Sequence, residues 1–139
     1  MDLDPIFEQI AALRHPETGC PWDRAQTITG YLEPIEEEAR ELVDALRSGD
    51  PAQVREEAGD LLWNLCFAIR LAEETGALSR EDVVRDVVRK MRGRHPHVFG
   101  NESAATPEEA LRAFKRAKAR QRKADSAGRQ QSTDAGSTG

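Results

Sequence analysis

Two acidic clusters stand out as residues that could do chemistry: Glu37-Glu38-Ala39-Arg40-Glu41 and Glu56-Glu57-Ala58-Gly59-Asp60. Each places two carboxylates at i and i+3, one turn apart on a helix. Taking about 100° per residue, Leu42 lies roughly 40° from Glu38, Ile35 roughly 60° and Tyr31 roughly 20°. Glu38 therefore stands inside an apolar stripe, with Glu41 at its edge and Glu37 one step further out. On the second segment, Leu61 lies roughly 40° from Glu57 and Ala68 roughly 20°, so Glu57 and Asp60 also point inward. A solvated acidic face is the plain alternative, and matched pairs at core-edge positions argue against it. Four ionised carboxylates converging near a core repel one another and are costly to desolvate. Either their pKa values rise or a cation neutralises them. Oxygen-only ligands suit Mg²⁺, with Mn²⁺ as a substitute. A di-iron carboxylate bundle would need Glu-x-x-His pairs. His15, His95 and His97 follow Ala12, Arg92 and Arg94 at that spacing, so that reading fails.

The elements that must carry these residues are helices. Residues 4–14 form a short amphipathic helix on Ile6, Ile10 and Leu13. HPETGCPWDRAQ (15–26) reads as a loop. A long helix covers about 29–47, its first turn separate or kinked at Pro34, and Ser48-Gly49 stops it. Asp50-Pro51 starts the next, which runs to about Thr75 and is apolar on nearly every side from Leu61 to Leu71. A fourth helix spans about 80–94, with Val83, Val84, Val87, Val88 and Met91 expected inward. Thr106-Pro107-Glu108-Glu109 opens a last helix to about Lys123. The expected fold is all-α: an antiparallel bundle of about four core helices plus a C-terminal helix, in one domain over 1–124. Residues 125–139 read as a disordered tail.

The 139-residue chain carries a net charge of −5, but residues from Lys115 onward hold seven basic and two acidic side chains. The first 114 residues therefore carry about −10. Such a body should repel nucleic acid and attract divalent cations. The basic segment KRAKARQRK (115–123) lacks interleaved aromatics and reads as a solvated helix end. No stretch of 18 apolar residues exists, so no membrane partner is expected. The N-terminus lacks signal-peptide regions. Cys20 and Cys66 form no CxxC pair, which suggests reduced thiols in a cytoplasmic protein.

Further candidates surround the acidic clusters. Lys90 and Arg94, i and i+4 beside the valine stripe, could meet phosphate oxygens. Read alone, they are equally an ordinary snorkelling flank. Asn64, one turn beyond Asp60, could bind a base or sugar, or simply a neighbouring ligand. Trp22 in the CPWD loop could stack on a base, or could anchor the loop on the core.

The order of blocks resembles the MazG family of all-α nucleoside triphosphate pyrophosphohydrolases. The pattern EExxE (37–41), a spacer and ExxD (57–60) is that family's signature. LRHPETGCPWDRAQT (13–27), GDLLWNL (59–65) and KMRGRHPHVFG (90–100) resemble its flanking blocks. The similarity covers roughly residues 5–123. It implies hydrolysis of a nucleoside triphosphate to the monophosphate and diphosphate, as nucleotide-pool house-cleaning. It also implies a homodimer or higher homo-oligomer. By position, Glu38, Glu41, Glu57 and Asp60 become magnesium ligands, and Glu37 and Glu56 become auxiliary carboxylates that bind a further metal or orient water. Glu37 is the candidate general base, and Lys90 and Arg94 hold the triphosphate. The alternatives are a narrower dUTP or dCTP pyrophosphatase of the same superfamily, and a weakly active nucleotide-binding or oligomerisation module.

Overall fold

The structure is a computed structural model and describes residues 2–134, with side chains to residue 127. The described residues are all-α, with no strand. The helices are α1 (Asp4–Leu13), α2 (Pro21–Ala25), α3 (Leu32–Ser48), α4 (Pro51–Glu74), α5 (Arg80–Arg94), α6 (Pro96–Phe99) and α7 (Pro107–Asp134), with a 3₁₀ turn at Thr29–Tyr31 before α3. The chain forms two compact units, Met1–Val83 and Val84–Gly139.

In the first unit, the separate first turn expected at Pro34 is the 3₁₀ turn. Pro34 then falls within the first turn of α3, where its missing N–H would have had no intrahelical partner. The connection from α3 to α4 follows local chemistry. Gly49 adopts φ 75°, a conformation that favours glycine, and its N–H returns to the Ala45 carbonyl at 3.2 Å. The Asp50 carboxylate then accepts from the Ala52 N–H at 2.9 Å, with Pro51 at the first helical position. So short a connection folds α3 and α4 into an antiparallel hairpin. α1 packs on α4, and the core is Phe7, Ile10, Tyr31, Cys66, Phe67 and Leu71.

The expected loop at 15–26 contains α2, with Cys20 as its N-cap and Pro21 at its first position. Five residues carry no readable apolar period, so the sequence pattern gives no sign of it. Arg14 holds this segment by donating to the carbonyls of Asp23 and Gln26. The same guanidinium grips Glu74 of α4 with two prongs, at 2.9 and 2.6 Å.

In the second unit, α7 opens with a variant of the expected capping box, its return bond one residue ahead of the cap. The Glu109 N–H donates to Thr106 Oγ1 at 3.2 Å, and the Glu109 carboxylate accepts from the Ala105 N–H at 2.7 Å. α7 continues past Lys123 to Asp134, into the segment read as a tail. Residues 135–139 of the expected tail lie outside the described residues. The valine row of α5 is not in a core: Val84, Val87, Val88 and Met91 are all exposed. Hydrophobic period shows which face seeks cover, but not what supplies the cover.

Candidate functional site

The α3–α4 hairpin brings the two acidic clusters together. Its register runs through the pairs Tyr31 and Phe67, Pro34 and Asn64, Glu38 and Asp60, and Glu41 and Glu57. The first pair is a ring stack with centroids 4.5 Å apart, and the second is a long hydrogen bond of 3.5 Å. Carboxylate oxygens of Glu38, Glu41 and Glu57 all lie within 4.8 Å of one another. Glu38 and Glu57 are partly buried and Glu41 is exposed. Asp60 is exposed and stands beside this trio rather than in it.

The electrostatics follow from that crowding. Desolvation pushes the Glu38 carboxyl above the usual carboxylate range, and the charges of Asp60, Glu41 and Glu37 push it further. Glu57 is raised in the same way, by desolvation first and then by Glu41, Glu56, Asp60 and Glu38. Glu38 Oε2 is buried without a hydrogen-bond partner. A buried, unpartnered carboxylate oxygen facing two further carboxylates is a donor set that could hold a cation. The all-oxygen chemistry fits a hard divalent ion, and Glu38, Glu41 and Glu57 are the residues that could hold it. Glu37 and Glu56 are exposed, next in sequence to the trio.

Asn64 is buried on the same face of α4. It accepts from the Tyr31 hydroxyl at 2.9 Å through Oδ1 and donates to the Pro34 carbonyl through Nδ2. Both ends of its amide thus have protein partners, and it braces the hairpin. Trp22 is 63% exposed, so it does not anchor its loop on the core. Lys90 and Arg94 lie on α5 in the second unit. Lys90 is exposed. Arg94 donates to Gln121 of α7 at 2.9 Å and sits 5.9 Å from the Phe114 ring centroid. Gln121 also donates to the Lys90 carbonyl at 3.4 Å. A Cβ at Gly93 would collide with the Gln121 amide, so glycine allows this close approach.

A sequence profile of the MazG nucleotide pyrophosphohydrolase domain matches residues 26–99, which contain both acidic clusters. The chain belongs to the MazG family. It is 35% identical over 120 residues to a nucleoside triphosphate pyrophosphohydrolase of Escherichia coli strain K12, covering 86% of this chain and 46% of that protein. It is 40% identical over 100 residues to the nucleoside triphosphate pyrophosphohydrolase/pyrophosphatase MazG of Thermotoga maritima, covering 69% of this chain and 39% of that one. The chain thus spans about half or less of the length of these relatives. The crystal structure of a mazG-related protein from Thermotoga maritima superposes with a TM-score of 0.69 at 29% identity, covering 83% of this chain and 97% of that chain. Outside the MazG signature, Tyr31 reaches the face of α4 that carries Glu57 and Asp60 by donating to Asn64. The sequence signal of Tyr31 was its place in the same apolar stripe as Glu38.

Proposed function

We propose that this MazG chain is a Mg²⁺-dependent nucleoside triphosphate pyrophosphohydrolase that releases the monophosphate and diphosphate. The observation that carries the reading is the convergence of Glu38, Glu41 and Glu57 around a buried, unpartnered Glu38 oxygen. Asp60 and Glu56 complete the ligand set as flanking carboxylates. A divalent cation held there would neutralise polyphosphate charge and polarise the phosphorus under attack. Glu37, exposed beside Glu38, is the carboxylate assigned to take the proton of the attacking water. Lys90 and Arg94 are assigned to the triphosphate oxygens as cationic partners. The substrate reading draws on the relatives, which are themselves named as nucleoside triphosphate pyrophosphohydrolases. The cellular role that fits is removal of surplus or damaged nucleotides in the cytoplasm, where the unpaired Cys20 and Cys66 would stay reduced.

An exposed apolar edge of α3 supports the reading of a homo-oligomer. On α3, Leu32, Val43 and Leu46 are exposed, and with Ala39 they form a second stripe beside the core-facing one. A second copy of the chain is the partner assigned to it.

Product analysis tests the activity. The purified chain is incubated with the common ribo- and deoxyribonucleoside triphosphates and dUTP, with and without Mg²⁺. Monophosphate and diphosphate are expected only where metal is present, and the spread across bases gives the substrate range. Folded protein that hydrolyses none of them would end the enzyme reading.

A further inference from the structure

We propose that Tyr31 is a positioning residue that pins the register of the α3–α4 hairpin, and through it the spacing of the carboxylate site. This inference rests on the site reading above and extends it to a residue outside the acidic motif.

Tyr31 is buried at 4% exposure, just ahead of α3. Its hydroxyl donates to Asn64 Oδ1 at 2.9 Å, across 33 residues of sequence. Burial pushes that hydroxyl up to about 12, with the Asp23 charge adding, a hydrogen bond donated by Trp63 opposing and the Glu38 charge adding. The hydroxyl therefore keeps its proton and remains a donor at any working pH. Asn64 Nδ2 then reaches the Pro34 carbonyl. In an α-helix the carbonyl of residue 34 accepts from the N–H of residue 38. The amide thus touches the backbone group on which Glu38 is hung. On α4, Asn64 lies one turn from Asp60 and two from Glu57. One side chain thereby ties the peptide beneath Glu38 to the face that carries its partners.

The pin has directional content that apolar packing lacks. Stacked rings such as Tyr31 and Phe67 tolerate sliding, whereas a buried amide satisfied on both ends tolerates little. Glu38, Glu41 and Glu57 crowd like charges across the two helices, with Asp60 beside them. The pin, one turn away, would hold the helices in register against that repulsion.

The test uses Tyr31→Phe, which keeps the ring and removes only the donor. Ile10→Val serves as a core control that loses stability away from the pin. Mn²⁺ binding is followed by the EPR signal of the free ion, at a temperature well below every melting point. Tyr31→Phe is expected to weaken Mn²⁺ binding about tenfold, as loss of an outer-shell partner does. Ile10→Val is expected to leave binding unchanged at equal or greater loss of melting temperature. The double variant Tyr31→Phe/Asn64→Leu removes both polar partners, so its melting temperature should recover while its Mn²⁺ affinity should not. Affinity that follows melting temperature across the set, or Tyr31→Phe binding like wild type, overturns the pin. A wild-type chain that binds no Mn²⁺ overturns the site reading instead. Amide exchange in metal-free protein then decides the pin alone. Protection over 34–38 should fall about tenfold in Tyr31→Phe and hold in Ile10→Val. Unchanged protection in Tyr31→Phe rejects it.

Discussion

A carboxylate oxygen of Glu38 lies within 4.8 Å of one on Glu57, although the two residues belong to different helices. The Gly49-Asp50-Pro51 connection is what makes them neighbours. Their proximity has opposite consequences for activity and for stability. Glu38→Gln keeps the shape and removes the charge. It should lower metal-dependent turnover by at least about 100-fold, since a first ligand matters at least as much as its outer-shell support. The same substitution should raise the melting temperature of metal-free protein by roughly 3 °C, because a repelled, partly buried charge has gone. Parallel kinetics and thermal melts check both. Near-normal turnover would remove Glu38 from the site.

The raised carboxyls of Glu38 and Glu57 make stability depend on pH in a definite direction. The folded chain binds their protons more tightly than the unfolded chain does. Their stabilising effect is therefore complete below the usual carboxylate value of 4.5 and is lost as pH rises through the raised folded values. A divalent cation should cancel that loss. The gap between melting temperatures with and without Mg²⁺ is thus expected to widen as pH climbs from about 4.5 toward 7. Melts across that range in EDTA and in Mg²⁺ measure it. A gap that stays flat would mean that the ion does not bind at these carboxylates.

Glu74 behaves in the contrary sense. Its hydrogen bonds from Arg14 hold its carboxyl below the usual value, with the charges of Arg14 and Arg70 assisting against burial. Its contribution is present above 4.5 and disappears as pH falls through the lowered folded value. Arg14→Ala should cost about 2 kcal/mol at neutral pH, because it breaks a partly buried two-pronged pair and releases the carbonyls of Asp23 and Gln26. It should also blunt the acid limb of the stability profile. Urea titrations at pH 7 and pH 4 separate the two effects, and an acid limb as steep as wild type would clear Glu74 of that role.

How much of this was legible in the sequence depended on range. The hairpin was readable because Gly49, Asp50 and Pro51 act on their own neighbours, and the facing of the acidic pairs follows from helical period once the hairpin is drawn. Tyr31 was visible as a stripe residue and Asn64 as a candidate, but the bond between them was not, since a hydrogen bond across 33 positions leaves no local trace. The helix at Pro21–Ala25 was missed for a related reason: the group that holds its carbonyls is Arg14, outside the segment. The valines of α5 show the converse. Their period was plain, yet period names a face and not its cover, and Val84 and Val88 remain exposed at 56% and 59%. The end of α7 was equally open in the sequence, because composition that cannot build a core can still extend a helix already begun at Pro107.

The second stripe of α3 makes the last prediction. Leu46 is 59% exposed and Leu32 55%, and helical spacing puts both on one edge with Val43. If a second copy covers this edge, a charge placed in its middle must be buried without a partner on assembly. That cost is several kcal/mol per interface, enough to shift association by orders of magnitude. Val43→Asp should therefore sediment at the monomer mass at micromolar concentrations where wild type sediments as a multiple of 15.5 kDa. Val43 is exposed and lies about three helical turns beyond Tyr31, so the helical signal in circular dichroism should be kept. A wild-type chain that is monomeric throughout would reject the oligomer. A Val43→Asp chain that assembles normally would move the interface to another face, and the exposed valines of α5 would be the next to carry the substitution.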